Sequence, residues 1–239
     1  MLQRIAEAAC PEQEAHVVEI GPGRGALTKY LLERTDKITA IELDPSMIAS
    51  LARNFPNDAR LEVVQQDILD SDLNRFAPCV IAGNLPYYIS SPIAARVFAA
   101  AGAWKRAVFL VQKEVALRMA AAHGSRDYGY LSVMTQIHAT ARVLFTVPAA
   151  AFAPPPKVES AVILLEPKVF DPIYSKSFLT FAGRAFLHKR KMLRNNLAPF
   201  YGKDVVEAQP EAQLRAEQLS PAQLQSLFER LSNPAPMLS

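Results

Sequence analysis

Residues 16–32 read HVVEIGPGRGALTKYLL and contain, in order, a strand, a glycine turn and the start of a helix. The apolar run of 16–20 predicts a buried strand that leads directly into the turn at 21–25, GPGRG. The spacing of the apolar residues in 26–32 predicts a helix. Glycines let backbone approach a ligand closely, and a helix N-terminus presents free N–H groups. The stretch is therefore typical of a ligand-binding turn in an open α/β sheet.

Each of the next three predicted strands also brings a polar side chain to its carboxyl end. The strands and these residues are 38–42 with Glu42, 61–65 with Asp67, and 79–83 with Asn84. Ligands of open α/β sheets bind at this edge, and a carboxylate about 20 residues beyond the glycines can hold a ribose diol. A solvated carboxylate is the simpler interpretation of either acid taken singly. The glycine turn and these three side chains each follow a separate strand at the same edge of the sheet, and together they favour a nucleoside-type ligand.

The fourth strand continues into Asn84-Leu85-Pro86-Tyr87-Tyr88. Proline fixes its own φ, lacks an N–H and restricts the preceding residue, so the Leu85 carbonyl can point into a site. That carbonyl and Asn84 Oδ1 are neighbouring acceptors that suit an exocyclic amino group, and Tyr87 offers a flat face for base stacking. A plain turn, with asparagine at its start and proline inside, explains the same residues equally well.

Two cofactors compete for the glycine turn. Gly21, Gly23 and Ala26 satisfy the loose dinucleotide pattern G-x-G-x-x-G/A. Glu42 fits the acidic residue of that pattern, so a nicotinamide enzyme is one alternative. Asp67 instead suits the adenine amino group of a mononucleoside-type ligand, and no hydride-transfer site is evident. S-adenosylmethionine, which has adenine, ribose and a charged amino-acid tail but no pyrophosphate, would use all four strand ends.

Length and composition indicate a soluble, cytosolic protein. The chain has 239 residues, of which 50% are hydrophobic, and its net charge is +3. No stretch approaches the roughly 18 consecutive apolar residues of a membrane span. Residues 1–15 lack the pattern of a signal peptide. Cys10 and Cys79 lie in apolar surroundings, which favours buried thiols over a disulfide or a metal site.

Further helices and strands complete the predicted sheet. The helices are expected over 2–9, 46–54, 91–101, 113–122 and 130–138, and the strands over 107–111, 142–147 and 160–165. Between the last two strands, Phe152 precedes the prolines of 154–156, which make a stiff loop free of helix. Such a loop can hold the Phe152 ring beside a pocket, although a rigid connector with this ring in the core is the favoured interpretation from the residues alone.

Residues 172–203 contain no acidic residue and are strongly basic. The basic residues are Lys176, Arg184, Lys189, Arg190, Lys191, Arg194 and Lys203, and the apolar side is formed by Phe178, Phe181, Phe186, Leu193 and Leu197. The pattern predicts helix with one basic, outward face. A charge run is usually only a solvated face, but a patch of one sign on a nearly neutral protein better suits phosphate contacts. A final amphipathic helix is predicted from 220–221 to about 231.

The chain resembles the ribosomal RNA adenine N6-dimethyltransferases of the KsgA/RsmA type. The shared motifs cover nearly the whole chain in the family's order: VVEIGPGRGALT, IELD, QQDIL, GNLPYYISSPI, LVQKEVALRM, YGYLSV, FAPPPKVESAV and FAGRAFLHKRKMLRNNL. The resemblance implies an α/β fold, with a Rossmann-like, seven-stranded class I methyltransferase sheet in residues 1–167 and a small all-helical RNA-binding domain in residues 168–239. It also implies a cytoplasmic monomer that uses S-adenosylmethionine and no metal. Its reaction would be N6,N6-dimethylation of two adjacent adenosines near the 3′ end of 16S ribosomal RNA in the small subunit, as part of ribosome biogenesis.

The resemblance and the charge pattern together assign the site residues. Cofactor binding is expected of Gly21, Gly23, Glu42, Leu43, Asp67, Ile68 and Asn84, catalysis and base binding of Asn84, Leu85, Pro86, Tyr87 and Phe152, and RNA binding of Arg184, Lys189, Arg190, Lys191 and Arg194. Tyr88 departs from the family pattern, since an asparagine is common there. The family normally carries a further N-terminal segment with a Gln-Asn-Phe-Leu-type motif that closes over the cofactor. Residues 1–16 lack that motif, so we expect either a truncated chain or a lost lid.

Two further interpretations come from relatives of this family. One is the macrolide-resistance methyltransferase that acts on large-subunit RNA, and the other is a non-catalytic RNA-binding relative. Leu85, Pro92 and the KVESAV run of 157–162 favour the small-subunit type. The intact Asn84-Leu85-Pro86-Tyr87 motif favours catalysis.

Overall fold

The computed structural model describes residues 1–100, 102–152 and 154–232. Its strands are β1 Val17–Ile20, β2 Ile38–Glu42, β3 Leu61–Gln65, β4 Cys79–Asn84, β5 Trp104–Gln112, β6 Ala139–Val147 and β7 Ser160–Pro167. They form a 7-stranded sheet in the order β3-β2-β1-β4-β5-β7-β6. The pairs among β1 to β5 are parallel, whereas β7 is antiparallel to both β5 and β6. The predicted seven-stranded α/β class is confirmed.

Helices follow β1, β2 and β4, two short 3₁₀ turns connect β3 to β4, and further helices make up the C-terminal part of the chain. The described helices are α1 Leu2–Ala9, α2 Thr28–Leu31, α3 Pro45–Asn54, α4 Ser90–Ala99, α5 Lys113–Ala120, α6 Tyr130–His138, α7 Pro172–Ala185, α8 Leu193–Tyr201, α9 Lys203–Glu207 and α10 Pro221–Ser232. None of these described helices combines the length and the apolar character that a membrane crossing requires. Residue 101, which ends one predicted helix, lies outside the described residues.

The sheet is buried on the face against which α1 packs. Ile5, Ala6 and Ala9 of α1 have no exposed surface and belong to one apolar cluster with Val80 and Val108 of the parallel strands. Parallel strands covered by helices read as continuous apolar runs, which is why the sequence located them well. The carboxyl ends of β1 to β4 stay at one edge, and the loops that follow them form the site.

The chain divides into two compact units. The first contains Met1–Leu117 and His138–Val169, and so the whole sheet, while the second contains Arg118–Ile137 and the described residues from Phe170 onward. Residues 118–137 join the second unit because Tyr128 and Val133 are buried in its apolar cluster with Phe178 and Phe181. The units therefore differ from the predicted domains 1–167 and 168–239, whose functional assignments stay predictions. Residues 233–239 of the predicted C-terminal domain lie outside the described residues.

The helix predicted through the basic stretch 172–203 is interrupted. Helix α7 ends at Ala185 and α8 begins at Leu193, so residues 186–192 form turns between them. The buried Asn196 side chain explains this end, since its Nδ2 donates to Ala185 O at 2.7 Å and to His188 O at 3.2 Å. Carbonyls at a helix C-terminus lack intrahelical partners, and here a side chain supplies one.

The consequence of that break is that the basic residues 189–191 lie in a connection and not on a helix face. The apolar side predicted for the same stretch is confirmed, because Phe178, Phe181, Leu193 and Leu197 all have 0% exposure.

Gly25 is the position of the glycine turn where a side chain is least tolerated. Its φ is +85°, and an added Cβ would lie 2.3 Å from Phe55 Cε2 and 3.0 Å from Leu51 Cδ2. We expect Gly25→Ala to lower the free energy of unfolding by about 2 to 4 kcal/mol, through left-handed backbone strain and displacement of the ring. Gly21→Ala is the matched control, since φ is +64° there and no atom of the described residues lies within 4 Å of an added Cβ. Urea denaturation of both variants tests this, and equal losses would contradict it.

Candidate active site

A cavity of about 340 Å³ opens at the carboxyl ends of β1, β2 and β3. This volume lies in the range of small-molecule sites. Six of the predicted site residues line the cavity, namely Gly21, Glu42, Leu43, Asp67, Ile68 and Pro86. The fold thus brings together residues from four separate strand ends that the sequence had marked as one site.

The Glu42 carboxylate ties the glycine turn to the end of β2. Its Oε2 accepts the Gly23 N–H at 3.1 Å, and its Oε1 accepts the N–H groups of Leu43 at 2.9 Å and Asp44 at 3.0 Å. An ionised carboxylate offers about four acceptor positions, so these bonds leave one for a ligand. A hydroxyl donor such as that of a ribose suits the remaining position.

Asp67 starts a short 3₁₀ turn beside the same cavity. Its Oδ1 accepts the Leu69 N–H at 2.9 Å, and its main-chain oxygen accepts the Ser71 hydroxyl at 3.0 Å. The other carboxylate oxygen, Oδ2, has no hydrogen-bond partner within the described part of the chain and can accept from an exocyclic amino group. The largely buried Ile68 supplies an adjoining apolar wall.

The segment Asn84-Leu85-Pro86-Tyr87 begins at the last residue of β4, at the neighbouring strand end. The Leu85 N–H donates to Leu110 O of β5 at 3.0 Å, and the Ile89 N–H donates to Pro86 O at 3.2 Å. The exposed Asn84 amide has no side-chain partner among the described residues, and no described N–H donates to the Leu85 carbonyl. Both predicted acceptors are therefore available to a ligand.

Some predicted residues do not line the cavity. Asn84, Leu85 and Tyr87 are chain neighbours of Pro86, which does line the cavity. Gly23 is connected to the cavity only through the hydrogen bond from its N–H to Glu42. Phe152 packs against the apolar cluster of the sheet, so its place beside a target base stays a prediction.

The cavity also has lining residues that were not predicted as site residues. They are Ile20, Ile41, Asp44, Gln66, Leu69, Tyr88, Ile89 and Ile93. Most of them adjoin a predicted residue in the chain, which was the only signal for them. Ile89 and Ile93 are four residues apart at the start of α4, so they share one helix face, and this spacing was present in the sequence.

Glu19 is a buried carboxyl directly before the glycine turn. It is 1% exposed, and its Oε2 accepts the Thr28 hydroxyl at 2.6 Å. Burial raises the pKa of Glu19 from 4.5 to about 7, the Thr28 hydrogen bond lowers it, and the charge of Glu42 raises it further. The folded protein therefore holds this proton at pH values where the unfolded chain has released it. Stability contributed by the protonated form is complete below about pH 4.5 and is lost as the pH rises toward 7.

We expect Glu19→Gln to flatten this pH dependence. The difference between a pKa of about 7 and the ordinary 4.5 corresponds to about 3 kcal/mol, so relative to the native protein the variant should gain up to that amount between pH 4.5 and 8. Glutamine keeps the acceptor for Thr28, and the cost of its buried amide does not vary with pH. The melting temperature as a function of pH is the measurement, with the exposed Glu12→Gln as control. Parallel pH profiles for Glu19→Gln and the native protein would contradict the assignment.

The strand order, the reversed β7 and a nucleoside-sized cavity at the carboxyl edge together define a class I methyltransferase. An asparagine and a carbonyl acceptor beside that cavity suit an amino group as the methyl acceptor. The sequence profile described as ribosomal RNA adenine dimethylase matches residues 1–233, and the chain belongs to that family. The chain is thus an S-adenosylmethionine-dependent ribosomal RNA adenine dimethyltransferase. The predicted resemblance is confirmed, and the nicotinamide and non-catalytic alternatives are wrong.

Individual relatives agree with this membership. The ribosomal RNA small subunit methyltransferase A of Xanthomonas campestris is 42% identical over 241 residues, covering 97% of this chain and 90% of the relative. The protein of the same name from Ligilactobacillus salivarius is 37% identical over 252 residues, covering 97% and 85%. Among solved structures, a dimethyladenosine transferase from Plasmodium falciparum has a TM-score of 0.79 and 25% identity, covering 97% of this chain and 96% of that one. The 23S rRNA methyltransferase ErmE has a TM-score of 0.74 and 27% identity, covering 97% of each chain.

Proposed function

We propose that this enzyme dimethylates N6 of two adjacent adenosines near the 3′ end of 16S ribosomal RNA in the small subunit, as a cytoplasmic monomer. The observation that carries the proposal is the free acceptor pair of Asn84 and Leu85 beside a cavity of nucleoside size. The small-subunit assignment is supported by the names of relatives that are 42% and 37% identical over 97% of this chain. The 23S enzyme, at 27% identity, represents the large-subunit alternative.

The cavity residues suit S-adenosylmethionine in one orientation. The remaining acceptor position of Glu42 would hold a ribose hydroxyl, and Asp67 Oδ2 with Ile68 would hold the adenine. The turn at Gly21 and Gly23 would then accommodate the amino-acid tail, because within the described part of the chain the space where a Cβ of either glycine would stand is open to 4 Å. Bound in this way, the cofactor would supply an electrophilic methyl group on its sulfonium.

Asn84 and Leu85 would prepare the target nitrogen for attack. The N6 lone pair of adenine is delocalised into the ring and is a poor nucleophile. Asn84 Oδ1 and the Leu85 carbonyl would accept the two amino hydrogens, favour a pyramidal nitrogen and aim its lone pair at the methyl group. Nitrogen becomes positively charged before it loses a proton, so no strong base is required. Catalysis would arise from positioning and electrostatics, and the Tyr87 ring could stabilise the cationic base by stacking.

The second unit carries the proposed RNA-binding surface. Lys191, Arg194, Asn195 and Lys203 line a cleft of about 570 Å³, which we call the basic cleft, and Glu207 is its acidic wall residue. The three cations form no ion pair with any residue that the structure describes. Unpaired cations around a cleft suit phosphate groups of an RNA backbone, which such a surface holds largely without reading sequence.

The other predicted RNA-binding residues differ in their surroundings. The Arg184 guanidinium lies 4.5 Å from the Phe200 ring centroid and donates to the Tyr201 hydroxyl at 3.2 Å. Lys189 Nζ donates to Arg126 O at 2.6 Å and lies 4.0 Å from Glu217 Oε2. Both cations therefore have partners within their own unit, and we assign them a smaller share of RNA binding than the basic cleft.

Arg190 is exposed in the connection after α7, and it stays a proposed RNA contact. Lys203 was counted in the basic stretch but was not assigned to RNA binding from the sequence. We add it to the interface because it lines the basic cleft with Lys191 and Arg194.

The test supplies labelled S-adenosylmethionine together with unmethylated small subunits, large subunits or naked RNA. After digestion to nucleosides, mass analysis should find dimethyladenosine from small subunits only. Label found only in large subunits would instead assign the enzyme to the macrolide-resistance type, which methylates large-subunit RNA. Monomethyladenosine as the end product from small subunits would contradict dimethylation.

A further inference from the structure

Ser160 is the first residue of β7 and is fully buried. Its hydroxyl shares a hydrogen bond with the hydroxyl of Tyr87, which lies 73 residues earlier in the chain. Ser160 pairs with Gln112, the last residue of β5, and β5 lies between β4 and β7 in the sheet. The antiparallel direction of β7 therefore places its first residue at the edge where the parallel strands end.

The bond to Ser160 adds to other hydrogen bonds that hold the segment after β4 in place. Leu85 is held to β5 through its N–H, and the Tyr87 carbonyl accepts the Ser90 hydroxyl of α4 at 3.3 Å. Those bonds fix main chain, whereas the bond to Ser160 fixes the far end of the Tyr87 side chain. A ring anchored at its hydroxyl has lost most of its rotational freedom before any ligand arrives. That hydroxyl is also occupied, so the contribution of Tyr87 to the reaction would come from its ring.

The position of Ser160 does not depend on its own side chain. Its backbone pairs with Gln112 of β5 on one side and with Val147 of β6 on the other. The hydroxyl can therefore be removed while the strand stays in register. A buried hydroxyl needs a partner, and here the partner is a residue of the proposed catalytic segment.

We propose that Ser160 is a positioning residue for methyl transfer, which holds the Tyr87 ring in the orientation on which the target adenine stacks. The proposal rests on the stacking role of Tyr87 given under the proposed function. Removing the anchor would let the ring sample other rotamers, and the base would then present its nitrogen to the methyl group in a smaller fraction of complexes. Misplacement of a reacting group by about 1 Å can cost up to about a hundredfold in rate.

The experiment is a double-mutant cycle on Ser160→Ala and Tyr87→Phe, each of which removes the same bond from one side. We expect each single variant to lower kcat by about tenfold, with the KM for S-adenosylmethionine unchanged, because neither residue lines the cofactor cavity. The double variant should be no slower than either single variant, since the shared bond can be lost only once. Ser160→Thr keeps the hydroxyl and should restore most of the rate.

Ser132→Ala is the matched control for a merely structural effect. Ser132 is also fully buried and donates to Arg118 O, but it belongs to the second unit. Its loss should lower the melting temperature and leave kcat unchanged. Tyr87→Phe removes the bond without altering the buried strand, so the test stands even if Ser160→Ala does not fold.

Two results would overturn the proposal. One is a native kcat for Ser160→Ala, and the other is a double variant whose loss equals the product of the two single losses. The variant Tyr87→Ala distinguishes a failure of the Ser160 proposal from a failure of the stacking role of Tyr87 in the proposed function. If Tyr87→Ala is nearly inactive while Ser160→Ala is fully active, only the role of Ser160 fails. If Tyr87→Ala is itself fully active, the stacking role of Tyr87 fails.

Discussion

Asn84→Ala should lower kcat by about a hundredfold to a thousandfold while the affinity for RNA stays unchanged. The reason is that one of two acceptors for the amino hydrogens of the target adenine is lost, and removing a single preorganised hydrogen-bond partner from a reacting centre costs about this much. Asn84 is exposed at the end of β4, and its side chain has no partner among the described residues, so little stability should be lost. Single-turnover transfer to unmethylated small subunits measures the rate, and filter binding measures the affinity.

Two variants make the Asn84 result specific. Asn84→Asp keeps an acceptor oxygen and should lose less activity than Asn84→Ala. Asn74→Ala removes an exposed amide from the same unit, away from the cavity, and should leave kcat unchanged. A native rate for Asn84→Ala would remove this residue from the mechanism.

Neutralising the basic cleft should raise the Kd for RNA and flatten its salt dependence while kcat at saturating RNA is preserved. The variant combines Lys191→Gln, Arg194→Gln and Lys203→Gln, the cations that line the cleft without ion-pair partners in the described part of the chain. Each lost phosphate contact should reduce the slope of log Kd against log salt by about 0.7 to 0.9. Three lost contacts would reduce the slope by about 2 to 3 and weaken binding by about a hundredfold or more at low salt.

The control variant removes the same number of positive charges from the first unit. It replaces three lysines by glutamine, namely Lys29, Lys37 and Lys105. This control should change the salt slope little, since non-local charge is screened beyond about 10 Å at moderate ionic strength. Arg184→Gln and Lys189→Gln, which alter cations with internal partners, should cost less affinity than the cleft variant. Equal slopes for the cleft variant and the control would show that RNA binds elsewhere.

The sequence pattern was sufficient to locate the features of the fold that short segments of the chain determine. The strands 38–42 and 61–65 begin and end at the predicted residues. The first is a buried apolar run, as expected for a parallel strand inside the sheet, whereas the second is the edge strand and was marked by its β-branched residues and polar ends. The glycine turn, Glu42 and Asp67 were located as cavity residues for the same reason, since every parallel strand ends at one edge. The family motifs, read in order, were enough for the enzyme class.

The break in the basic stretch was decided by a contact that the pattern does not contain. Nothing local marks Ala185 as a helix end, and Asn196, which binds its carbonyl, follows eleven positions later. The charge pattern likewise could not tell which cations have partners within their own unit. Arg184 and Lys189 find such partners, whereas Lys191, Arg194 and Lys203 meet around an open cleft.

The sequence by itself determined the strands of the sheet, the edge at which the cavity forms and several of the residues that line it, because hydrophobic period and strand ends are properties of short segments. Only the tertiary structure decided the burial of Glu19, which raises its pKa to about 7, and the bond between Tyr87 and Ser160. Both depend on strands and segments that are distant in the chain and adjacent in the folded protein. Their chemistry is therefore set by neighbours that no sequence pattern names.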